Sequence, residues 1–113
     1  MHFEEVQVAV VEILRAAKGH FLSAYQICHR LKANEPELWA RLVAEYPSVH
    51  PEIPMGEGTG KPYSPASFIA NALNHFKGKN NITQELFDCE GISFGATDPG
   101  ATVHSVGIWA IKA

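Results

Sequence analysis

The hydrophobic period of this chain changes once, near Lys79-Asn80-Asn81, and that change limits the folds open to it. Before it, apolar residues recur at the three- and four-residue spacing of helix faces. After it they alternate in twos, the spacing of a half-buried strand. A run of helices followed by a short run of strands defines an α+β domain. With 113 residues, 46% of them hydrophobic, the chain can build one core without disulfide or metal staples and is too apolar for disorder. No apolar stretch approaches the ~20 residues of a membrane-spanning helix. We therefore expect one domain over residues 1–113, with no membrane segment.

Within the helical part, the starts and stops are written in capping residues. Phe3, Val6, Val10, Ile13, Leu14 and Ala17 form one stripe, and Lys18-Gly19 ends it with a cation and a residue suited to a left-handed C-cap. His20-Phe21-Leu22 is a short extended link. Ser23-Ala24-Tyr25-Gln26 has the form of a capping box, with Leu22 and Ile27 placed as a hydrophobic staple, so a second helix is predicted over about 24–32. It buries Ile27, Cys28 and Leu31 and leaves Gln26, His29 and Arg30 outside. Pro36 opens a third helix carrying Leu38, Trp39, Leu42, Val43 and Tyr46, which Pro47 closes. Four prolines and three glycines between Pro47 and Pro62 predict an irregular, exposed loop.

Ser64-Pro65 starts a fourth helix that runs to about Lys77, before Gly78. Phe68, Ile69, Ala72, Leu73 and Phe76 share its inner face; Ser67, Asn71, Asn74 and His75 share the outer one. That outer face is polar yet nearly uncharged, although Glu and Lys are better helix formers than Asn. Two asparagines on one exposed stripe call for a reason beyond solubility. A β-hairpin comes next, over about 85–111, with a turn at Thr97-Asp98-Pro99-Gly100; Glu90-Gly91 fits either a bulge or a separate turn. Trp109, in the last strand, is placed to pack on the first helix.

The net charge of -3 argues weakly against a polyanion partner, but the charge comes in blocks. Residues 1–12 carry -3, 13–34 carry +4, 35–57 carry -4, 58–84 carry +3 and 85–113 carry -3. The two basic blocks hold the second and fourth helices, and local sign steers a polyanion more than the total does.

Helix, extended link, helix, insert, amphipathic helix and C-terminal hairpin together resemble the winged helix-turn-helix superfamily in element order across nearly the whole chain. The stretch from Gly19 to Ile27 is similar to that fold's first strand and second-helix start, and Ser64 to Leu73 is similar to its recognition helix. The resemblance implies a helical core, a hairpin wing, and an insert at about 34–63 holding an extra helix and the Pro/Gly loop. It also implies sequence-specific binding of double-stranded DNA, with the recognition helix in the major groove, in transcription regulation. Carried onto this chain, Ser67, Asn71 and Asn74 would lie toward base edges, since a carboxamide both donates and accepts in one plane as adenine requires, and His75 on the same face would be a further nucleic-acid contact. Lys61, Lys77 and Lys79 would neutralise phosphates, with Arg30 and Lys32 as further backbone contacts. Ser64 and the free amides of the helix start would hold one more phosphate. The wing tip, residues 95–101, departs from this scheme: it has Asp98 and no Lys or Arg. A second reading uses the acidic insert and the Trp39 surface, within residues 35–46, to bind a protein partner or a second copy.

Other chemistry finds little footing. Gly56 to Lys61 resembles a phosphate loop only superficially, because Met55 and Pro62 stand where that motif needs Gly and Ser or Thr. The six histidines lack metal-ligand spacing, and Cys28 and Cys89 form no CxxC pair. We expect no enzyme activity, no cofactor and no metal. The acidic N-terminal residues, without a signal-peptide pattern, point to a cytoplasmic protein.

Overall fold

The computed structural model describes residues 1–49, 53–56, 62–88 and 105–112. The elements are α1 (Glu4–Ala16), β1 (Leu22–Ser23), α2 (Ala24–Asn34), α3 (Pro36–Glu45), α4 (Pro65–Phe76), β2 (Ile82–Asp88) and β3 (Ser105–Ile111). Among the described residues this is a mixed α+β arrangement of four helices and a small antiparallel sheet. No helix among the described residues is long and apolar enough to cross a membrane.

Local chemistry explains the boundaries. Lys18 and Gly19 both take positive φ, 54° and 86°, and end α1. The Ser23 hydroxyl accepts from the Gln26 N–H at 3.2 Å while the Ser23 N–H donates to the Gln26 side chain at 2.9 Å, which completes the capping box of α2. Glu35 closes α2 and opens α3 at φ -135° and ψ 68°. The residue before a proline is pushed out of the helical region, so Pro36 breaks what would otherwise be one long helix.

The sheet has the order β1-β3-β2. The expected hairpin is thus extended by the link ahead of α2, whose Leu22 lies opposite Trp109 and Ser23 opposite Ile108. β2 also begins earlier than its alternation suggests, with Ile82 paired to Ile111 and Gln84 to Trp109. Thr83, Gln84 and Glu85 are polar and partly or fully exposed, which hides this part of the strand from a hydrophobic pattern. The 97–100 turn, Asp98, the Glu90-Gly91 alternatives and Cys89 lie outside the described residues.

One core joins the inner faces of α1, α2 and α4 to Trp109 of β3, which is 3% exposed. Cys28 is a free thiol within it, and burial pushes its pKa far up. The insert contributes as well. Leu42 and Met55 are buried in the same core, and Leu38, Trp39 and Tyr46 pack against it. Tyr46 stacks on Phe68 at 4.9 Å between ring centroids. The described part of the expected exposed loop is therefore built into the fold: the Met55 carbonyl accepts from the Ala66 N–H at 2.8 Å, and the Ser48 hydroxyl donates to the Ile53 carbonyl at 2.8 Å. Gly56 turns this segment at φ +76°, against Ser64.

Candidate nucleic-acid interface

The start of α4 is packed into the fold. Pro65 to Ala70 are all buried, and the amides of the first turn are already used. Pro65 has none to offer; the Ala66 N–H goes to the Met55 carbonyl, the Ser67 N–H to the Ser64 hydroxyl at 3.3 Å, and the Phe68 N–H to the Ser64 carbonyl at 2.9 Å. Ser64, expected with the free amides to hold a phosphate, is a half-buried N-cap, and the donors beside it already have partners within the fold.

Ser67 also leaves the set of base-facing residues. It is fully buried, and its hydroxyl accepts from the Ser64 N–H at 2.7 Å as the reciprocal half of a capping box. The signal was the Ser-x-x-Ser spacing, in which Ser67 occupies the N3 position normally held by Glu or Gln. Asn71 is half-buried, and its side-chain amide donates to the Ser67 carbonyl one turn back at 2.8 Å. This back-bond turns one of its two donors onto its own helix.

The exposed surface of α4 is its second half, continued by the loop that leads into β2. Asn74 is exposed. His75 is exposed too, with its ring nitrogen 3.2 Å from the Glu4 carboxylate and its ring 5.3 Å from that of Phe3. Lys77 donates to the Gln84 side chain at 3.2 Å, and Lys79 is exposed. Asn80 and Asn81, which sequence reasoning did not single out, are both exposed and take positive φ, 54° and 62°. Asparagine tolerates that region better than other side chains bearing a Cβ, a signal present in the Lys-Asn-Asn run that ends the helical period. On α2, Arg30 and Lys32 are exposed. Lys61 lies outside the described residues.

The ion pairs among the described residues sort the charges. The Met1 amino group pairs with Glu45, Arg41 with Glu5 at 2.5 Å, and His75 with Glu4 at 3.2 Å. The Glu4 carboxyl is held below the usual range by its own backbone N–H and by His75, and that of Glu5 by the His2 N–H and Arg41. Three carboxylates of the acidic blocks are thus partnered within the fold. Arg15, Lys18, Arg30, Lys32, Lys77, Lys79 and Lys112 enter no ion pair among the described residues, and no group of three or more His, Cys, Asp or Glu there could hold a metal ion.

No protein-family model, curated protein or solved structure matches the chain.

Proposed function

We propose that this chain is a winged-helix protein of gene regulation that binds double-stranded DNA through the second half of α4 and the loop from Lys77 to Asn81. The observation that carries the reading is the placing of four of the unpaired cations. Arg30, Lys32, Lys77 and Lys79 are exposed and without an ion pair among the described residues, on or beside two helices that pack against each other, while Glu4, Glu5 and Glu45 are partnered elsewhere. Cations without an ion pair give up no opposite charge when they meet phosphate, Lys77 releasing only its bond to Gln84, and they displace the counterions of the duplex. Asn74, with its amide unengaged among the described residues, is the residue best placed to read a base edge, and Asn71 retains one donor and its carbonyl.

This reading shifts the contact from the start of the helix to its end. The first turns are buried under the insert, so the duplex would meet α4 from Asn71 onward. The inward packing of Trp39, Leu38 and Tyr46 on the core weighs against the insert as the principal binding surface. A fluorescent 20-base-pair duplex of mixed sequence, titrated at 50 mM salt, tests the proposal. Binding that weakens severalfold in a Lys77→Gln/Lys79→Gln variant supports it, and no binding by the unaltered chain removes it.

A further inference from the structure

His75, expected from the sequence to be a nucleic-acid contact, is engaged by an acid that another helix brings to it. Its ring nitrogen lies 3.2 Å from the carboxylate of Glu4, the first residue of α1. Both side chains are on the surface, His75 42% exposed and Glu4 62%. Phe3, directly ahead of Glu4, fixes the start of α1 against α4, since its ring is 5.3 Å from that of His75 and 5.2 Å from that of Phe68.

The place of His75 on its helix gives the pair a consequence for the duplex. Asn71 and His75 are four residues apart and so are neighbours on the helix surface, and Asn74 immediately precedes His75. A duplex that meets both asparagines also faces His75 and the carboxylate beside it. Residues 65–77 contain no Asp or Glu, so this acid comes to the face from α1. The Glu4 carboxyl, held below the usual range by its backbone N–H and by His75, is ionised at neutral pH.

We infer that Glu4 is a built-in brake on duplex binding: it engages His75 and sets a negative charge against the phosphates flanking the bases that Asn71 and Asn74 meet. The inference rests on the DNA reading and adds to it the residue that limits affinity.

Duplex titrations at 100 mM salt compare the unaltered chain with Glu4→Gln, Glu4→Asp and Glu12→Gln. Glu4→Gln should bind about two- to threefold more tightly, the ratio that relief of one like-charge contact at about 6–8 Å in water produces. Glu4→Asp keeps the charge and should bind as the unaltered chain does. Glu12→Gln, at an exposed position, removes the same charge about 12 Å further along α1, beyond the screening length of about 10 Å, and should change affinity little. Unchanged or weaker binding by Glu4→Gln, or equal tightening by Glu4→Asp or Glu12→Gln, would overturn the brake and leave the DNA reading standing. No binding by any of the four chains would remove the DNA reading and the brake with it.

Discussion

Gly56 joins the insert to the start of α4, and replacing it by alanine separates two costs that are usually confounded. Its φ of +76° is a backbone conformation that costs a residue bearing a Cβ about 1–2 kcal/mol. Its surroundings add a second cost, because a Cβ built there would lie 2.1 Å from the Ser64 Cβ and 2.5 Å from the Ser64 hydroxyl. A Cβ cannot rotate out of the way, so Ser64 must move, and Ser64 is the N-cap of α4. Losing that cap costs about 1 kcal/mol, with about 1 kcal/mol or more from overpacking. Alanine also lowers the entropy of the unfolded chain, which returns about 0.4–1 kcal/mol. The net for Gly56→Ala is about 3 kcal/mol. Gly78 is the control: its φ is +84°, but a Cβ there would meet nothing within 4 Å. Gly78→Ala should therefore lose only about 1 kcal/mol. Urea unfolding followed by Trp fluorescence measures both. Equal losses in the two variants would refute the argument that the insert is wedged against the helix cap.

The same contacts predict three further outcomes. Ser67→Ala should destabilise by about 1–2 kcal/mol, since it leaves the Ser64 N–H without its acceptor, yet leave duplex affinity unchanged; a loss of binding without a loss of stability would return Ser67 to the interface. Phe68→Ala should cost about 3–5 kcal/mol and release Tyr46 and Tyr63, seen as a fall in near-ultraviolet circular dichroism; a cost under about 1 kcal/mol would contradict the aromatic packing described. The lowered Glu4 and Glu5 carboxyls stabilise the fold above the ordinary carboxyl pKa of 4.5, and that contribution is lost as pH falls through their folded values. A Glu4→Gln/Glu5→Gln variant should thus lose less melting temperature between pH 6 and pH 3 than the unaltered chain, and an identical loss would count against these pairs.

Much of the fold was legible because its boundaries rest on local chemistry. Ser23 with Gln26, Pro36, and Ser64 with Pro65 each satisfy or remove a backbone donor at a helix start, and such signals act over four residues. What escaped depends on distant partners. The pairing of Leu22 and Ser23 with β3 joins segments more than eighty residues apart, and the burial of Met55 and Tyr46 depends on where α4 lies. The candidate site was legible in its charges and less so in its exposure. The helical wheel placed Ser67 outward because it assumed water on that side, whereas Met55 and Gly56 cover the first turn of α4. The Glu4–His75 and Glu5–Arg41 pairs were likewise invisible, because each joins segments more than thirty residues apart.

Phosphate contact by Arg30, Lys32, Lys77 and Lys79 is tested most directly by the salt dependence of duplex binding. With Arg30, Lys32, Lys77 and Lys79 each releasing counterions, log K against log salt concentration should fall with a slope of about -3.6, and Lys77→Gln/Lys79→Gln should reduce it to about -1.8. A slope near zero, or one unchanged by the double substitution, would contradict the account.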